Sequence, residues 1–241
     1  MNVEITEFEK RFCFELCPVT QLCGQNVRKK NYIFESLRRY FGTFKYSESK
    51  NKWRDNVFID NNQVGRKFFS VLSISNKTDI IQMIKMTKQS LLMEYVKNII
   101  QDFDWQLHMR NLSEEIEIMF QIINDQVNKV GDIEISYAVF GFWKMVQKSE
   151  VSGIDDTELS DKSNAELILI LLNIVDNVLK NNPKKTLILF ENLDHLVSLK
   201  EYVEIIHAAD TITKKYDLFF IFSSSLNKYV CCDIDFLEGI S

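Results

Sequence analysis

The chain has 241 residues, of which 46% are hydrophobic and 26% charged, with 7 Gly and only 2 Pro. That is the composition of an ordinary soluble globular protein with a sizeable core and little room for linkers, and it predicts a mainly helical chain. The net charge of −5 would argue against a nucleic-acid partner if it were evenly spread, but residues 24–67 carry 11 Lys+Arg against 4 Asp+Glu. A basic segment is set within an acidic remainder.

No apolar run approaches the length needed to cross a bilayer, since the longest, Leu167 to Leu172, is interrupted at Asn173. The first ten residues are acidic and mixed, unlike a signal peptide. Five cysteines without an export signal (Cys13, Cys17, Cys23, Cys231 and Cys232) are expected to be reduced thiols in a cytoplasmic protein without a membrane partner. No Cys/His pair of matching spacing follows Cys13 and Cys17, so a zinc site is not expected.

In chain order, FCFELCPVTQLC alternates apolar and polar residues and predicts one or two short strands running into a loop at Gly24. Tyr32, Ile33, Leu37, Tyr40 and Phe41 then recur at helical spacing. FFSVLSI (Phe68 to Ile74) predicts a second strand, with Ser75 and Asn76 as helix caps. Ile80, Ile84, Leu91, Tyr95 and Ile99 mark one face of a long helix over Asp79–Gln101, and Asn111 with Glu114 marks the start of another. Residues 152–164 are polar and acidic, a loop by composition. Ala165 to Leu179 is apolar nearly all round, and TLILF (Thr186 to Phe190) and LFFIF (Leu218 to Phe222) read as central strands of a parallel sheet covered by helices. The expected architecture is α/β: a P-loop-NTPase-like head with a central, mostly parallel sheet from residues 1–75 and 162–241, and an inserted α-helical leg from residues 76–161.

The candidate site is the Gly24 loop. A working phosphate loop reads G-x-x-x-x-G-K-[ST]: its backbone N–H groups cradle phosphates, its lysine reaches the terminal ones, and its hydroxyl holds magnesium. Here Gly24 and Lys30 keep that separation, but Lys29 replaces the second glycine and Asn31 the hydroxyl residue. LILF followed by Glu191 has the form of the second nucleotide-binding strand, whose terminal carboxylate organises magnesium. Gly24, Lys30, Asn31 and Glu191 therefore outline a degenerate phosphate site in which hydrolysis is lost or weak.

Arg28, Lys29, Lys30, Arg38, Arg39 and Lys45 offer cations to a phosphate backbone, although solvated charge runs are the commoner fate of such clusters. Asp155, Asp156, Glu158 and Asp161 are oxygen ligands suited to calcium, without the EF-hand pattern; acidic loops more often bind nothing. No His stands beside a nucleophile by spacing, so no catalytic triad is expected.

VTQLCGQN (Val19 to Asn26), RYFGTFKYS (Arg39 to Ser47), LILFENLDHLVS (Leu187 to Ser198) and DLFFIFSSS (Asp217 to Ser225) resemble, in this order, the accessory spacer-acquisition protein of type II-A CRISPR systems. The likeness is to the Csn-two family, and within it to the longer, streptococcal-type subgroup, whose members continue with further helical sequence beyond the strand equivalent to Leu218–Phe222. The resemblance implies a P-loop-ATPase-like head that requires no nucleotide, a helical leg, and a homotetrameric ring. It implies that the ring binds ends of linear double-stranded DNA through a basic hole, beside the CRISPR integrase complex and the effector nuclease, with structural Ca2+ in some members. Two rival readings remain: a nucleotide hydrolase using Lys30 and Glu191, and a structural module whose long helices bind only protein partners.

Overall fold

The computed structural model describes residues 1–7, 10–23, 26–42, 56–100, 103–127, 146, 148–153, 157–181, 183–224 and 233–234. The chain divides into two compact units, one of Met1–Ile81 with Ser160–Ser241 and one of Gln82–Leu159.

The first unit holds two sheets. One is antiparallel and contains β1 (Asn2–Glu7), β2 (Lys10–Glu15), β4 (Asn56–Ile59) and β5 (Asn62–Gln63), in the order β2-β1-β4-β5. The β4–β5 turn places Asp60 and Asn61 at φ 49° and 65°, the left-handed pair that a two-residue hairpin needs and that Asp and Asn tolerate. The other sheet is parallel, with β3 (Val19–Leu22), β6 (Ser70–Ile74), β7 (Thr186–Phe190), β8 (Leu218–Ser223) and β9 (Asp233–Ile234) in the order β6-β7-β8-β3-β9. Strands β6, β7 and β8 start in register at Ser70, Thr186 and Leu218.

Helix α1 (Val27–Phe41) packs between the two sheets. Its Ile33, Phe34, Leu37, Tyr40 and Phe41 recur at three- and four-residue spacing and share a core with Ile5 of β1, Val57 of β4, Leu22 of β3 and Leu189 of β7. Asn26 caps its start by accepting from the Lys29 N–H at 3.1 Å, and Gly42 N donates to the Arg38 carbonyl at 2.8 Å to close it. An edge-to-face series of rings, Tyr40, Phe41, Phe69 and Phe219, ties the end of α1 to the sheet at centroid distances of 5.0, 5.3 and 5.7 Å.

The alternate residues of the same strands face the opposite way. Phe190, Phe220 and Phe222 stack there, Phe190 and Phe222 at 5.1 Å and 8°. Helix α6 (Leu199–Thr213) packs on β3 and β8, with Tyr202, Ile205 and Ala209 buried, and helix α5 (Asn164–Asn181) packs beside it. Covered on both faces, β7 and β8 are the continuous apolar runs that the sequence predicted.

Helix α2 (Lys77–Ile84) is capped by Asn76, whose Oδ1 accepts from Asp79 N at 3.0 Å while Asp79 Oδ2 accepts from Ser75 N at 2.8 Å. The single helix expected over Asp79–Gln101 is two. After α2 the chain turns, and Ser90 starts α3 (Leu91–Ile100) by accepting from Met93 N at 3.1 Å, a serine doing better as a cap than inside a helix. In the second unit α4 (Phe103–Val127) already runs through Asn111 and Glu114, so that pair is not a helix start; Glu114 instead pairs with Arg110 one turn back at 3.1 Å.

Phe190 is fully buried in the aromatic stack, and truncating it leaves a cavity between β7 and β8. Phe190→Ala is expected to cost about 3–5 kcal/mol, read as a lower urea midpoint at unchanged slope.

Candidate functional site

In an open parallel sheet the carboxyl ends of the strands are where a ligand meets the chain, because the helices that follow point their N-termini there. At that edge lie Ser73 of β6, Glu191 after β7, Ser223 and Ser224 at the end of β8, and the start of α1 after β3. Gly24, the first residue of the degenerate loop, lies outside the described residues, as does Gln25.

Lys30, one turn into α1, is 1% exposed. Its Nζ turns inward and donates to the Ser224 carbonyl at 2.7 Å, across 194 residues of sequence. Burial pushes its pKa down, opposed by the nearby carboxylate of Asp194 and by Cys23. The lysine that would reach a terminal phosphate is thus a tie between α1 and β8. The sequence places it among cations offered to DNA; its burial takes it off that surface.

Glu191 is engaged as well. Its Oε1 accepts from Ser73 Oγ at 3.3 Å and faces Arg38 Nη2 at 3.3 Å. Arg38 therefore turns a charge toward the sheet rather than offering it freely to a partner. Next in the chain, Asn192 adopts a left-handed conformation (φ 52°, ψ 47°) and donates its N–H to Ser223 Oγ at 2.7 Å. Asn31 is exposed, as its place in the first turn after Lys30 requires. The carboxylate and the amine of a hydrolytic site are both present, and each has an internal partner.

The remaining cations differ. Arg28 is exposed, Lys29 is half-buried, and Arg39 is half-buried with Nη2 donating to Ser36 Oγ at 3.4 Å. Eleven residues bring a helix back to about the same angle, so Arg28 and Arg39 lie on one line of α1 about 16 Å apart, with exposed Glu35 between them. Lys45 lies outside the described residues.

Of the four acidic candidates, Glu158 and Asp161 are among the described residues. Among the described residues no group of three or more His, Cys, Asp and Glu comes together to hold a metal. Glu158 is exposed in a short bridge with Ser152, and Asp161 lines an open depression of about 480 Å³ beside Lys77 and Lys162. Lys77 Nζ there donates to the carbonyls of Ser160 and Lys162 at 2.6 and 2.7 Å, so an ammonium already holds the oxygens a cation would need. Asp155 and Asp156, the other two candidate calcium ligands, lie outside the described residues.

The sequence missed Arg38 as the partner of Glu191, and Ser73 and Ser224 as its neighbours in this network. The signal for Ser224 was the run of three serines after LFFIF, small polar residues ending a buried strand.

This fold and this edge define a P-loop-ATPase-like head whose phosphate loop has lost its pattern. The head of a structural-maintenance-of-chromosomes protein, solved bound to the C-terminal winged-helix domain of ScpA, shares the fold at TM-score 0.50 and 12% identity, covering 94% of this chain and 89% of that one. Stu0660 of Streptococcus thermophilus superposes with TM-score 0.81 at 23% identity, covering 93% of this chain and 69% of that one. The model of CRISPR-associated protein Csn2, subfamily St, matches residues 5–237, and the chain belongs to that family. Among curated proteins nothing matches. Membership gives the chain an accessory role in type II-A CRISPR systems.

The buried lysine has a measurable signature. Its folded pKa lies below the 10.5 of the unfolded chain, so on raising the pH the folded state releases this proton first, and the unfolded state then binds more protons. Stability contributed by this group rises as pH climbs from below the folded pKa toward 10.5. In urea melts, wild type is expected to gain stability relative to Lys30→Met across that window; a constant difference would contradict it.

Proposed function

We propose that this protein is a non-catalytic, ring-forming binder of double-stranded DNA ends that supports the acquisition of new spacers, beside the integrase complex and effector nuclease. The observation that carries the non-catalytic part is the internal engagement of Lys30 on the Ser224 carbonyl, joined to the Arg38–Glu191 pair. A phosphate entering the loop would have to displace a buried hydrogen bond to a charged group, worth roughly 1.5–3 kcal/mol, before gaining anything. The DNA-binding part is supported by family membership and by exposed Arg28 and half-buried Lys29 at the start of α1, with Arg39 further along the same line as Arg28. Such contacts position a duplex without reading its sequence. The ring is taken to be a homotetramer working in the cytoplasm.

Purified protein is expected to bind linear duplex DNA more tightly than closed circular DNA of the same sequence. With about six phosphates neutralised, log K should fall against log salt with a slope of roughly −5. The double variant Arg28→Gln/Lys29→Gln should make that slope shallower by about 2. Turnover of magnesium–ATP that disappears in Lys30→Ala would overturn the non-catalytic reading, and equal affinity for linear and circular DNA would overturn end binding.

A further inference from the structure

The opposite edge of the parallel sheet carries a charge pattern that the degenerate loop does not explain. Because β6, β7 and β8 are parallel and start in register, the three connections that enter them meet at one edge. Two backbone bonds fix this meeting: Ser70 N donates to the Lys185 carbonyl at 2.9 Å, and Thr186 N to the Asp217 carbonyl at 3.1 Å. With strands about 4.8 Å apart, three strand starts span only about 10 Å.

These connections are basic. The one entering β6 brings exposed Arg66 and Lys67. The one entering β7 brings Lys184 and Lys185, preceded by Lys180 in the last turn of α5. The one entering β8 brings Lys214 and Lys215. Among the described residues, carboxylates face several of them: Asp217 faces Lys185 at 3.7 Å, Asp210 faces Lys214 at 2.6 Å and Asp176 faces Lys215 at 2.9 Å.

Lysines at helix C-termini are ordinary, since they offset the negative end of the helix dipole, and that accounts for Lys180, Lys214 and Lys215. It does not account for Arg66 and Lys67, which follow no helix and have no ion pair among the described residues. Nor is Lys185 a freely waving side chain. Its ammonium lies 4.5 Å from the Phe68 ring centroid and 5.7 Å from those of Phe69 and Phe219, a cation held in place by aromatic faces. In a chain of net charge −5, a local excess of cations gathered from three distant stretches is self-repelling unless an anion answers it.

We propose that this edge is a second contact surface for the phosphate backbone of duplex DNA, about 17 Å along the strands from the edge that carries Glu191 and Ser224. The inference rests on the DNA-binding reading given above. A protein partner fits less well: Phe68 and Phe219 are half-buried beneath Lys185, so these rings are not presented as the exposed aromatic anchors that protein interfaces bury at their centre. A backbone presenting one negative charge per about 1.7 Å of duplex asks only for closely spaced cations on a rigid base.

The test uses the full chain and linear duplex DNA across a salt series, comparing wild type, Arg66→Gln/Lys67→Gln/Lys180→Gln, and Arg28→Gln/Lys29→Gln. The triple variant, whose three sites are exposed and whose melting temperature is the check on folding, is expected to bind more weakly with a salt slope shallower by about 3. If the triple variant keeps the wild-type affinity and slope while Arg28→Gln/Lys29→Gln loses both, the edge proposal falls and DNA binding at α1 stands. If wild type binds no duplex at all, both fall together.

Discussion

One hydrogen bond organises the candidate site: the Lys30 ammonium on the Ser224 carbonyl. Ordering a lysine side chain and removing its charge from water are both costly, so a buried lysine persists only where an acceptor and a nearby carboxylate offset the loss. Ser224 supplies the first and Asp194 the second. The bond fastens the first turn of α1 to the end of β8, while Ser224 N donates to the Leu22 carbonyl at 3.1 Å. Strand β3, helix α1 and strand β8 are thereby closed around the position where a nucleotide-binding head would receive phosphates.

The second tie has the same logic at the neighbouring strands. Arg38, two turns further along α1, faces Glu191 beyond β7, and Ser73 of β6 donates to the same carboxylate oxygen. The pair is partly solvated, with side-chain exposures of 34% and 14%, so its worth lies in alignment more than in raw stability. Together the two ties fix α1 to the carboxyl ends of β6, β7 and β8. Asn192 completes the edge, because its left-handed turn lets its backbone reach Ser223 instead of continuing the strand.

The buried part of this arrangement was legible in the sequence. LILF (Leu187 to Phe190) and LFFIF are apolar at every position because helices cover both faces, and no solvent-facing half exists to break the run. The antiparallel sheet was not legible as a whole: β1 is mixed in composition, and β4 is only four residues long. Asp60-Asn61 was the available signal, a left-handed pair typical of a two-residue hairpin. Around the loop, the spacing from Gly24 to Lys30 located the site, but spacing says nothing about whether a lysine turns outward or inward. Only the long-range partner decides that, and Ser224 lies 194 residues away. The same limit applied to Arg38, which helical spacing placed near other cations while its carboxylate partner lay on another strand.

These ties also bear on how far the site stands from a working hydrolase. Substituting Asn31 by threonine and Lys29 by glycine would recover the letters of a phosphate loop, yet the lysine and the carboxylate would still be held by internal partners. Lys30 would have to leave a buried acceptor, exposing an unsatisfied carbonyl at the end of β8, and that desolvated oxygen costs about 1–3 kcal/mol. Glu191 would have to part from Arg38 before it could organise a metal, and the arginine, five donors in a rigid fork, would remain beside it as a competing cation. The loss of the loop pattern and the gain of the internal ties reinforce each other: once lysine and carboxylate serve the fold, the magnesium hydroxyl has no partner to act with, and Asn31 is free to face solvent.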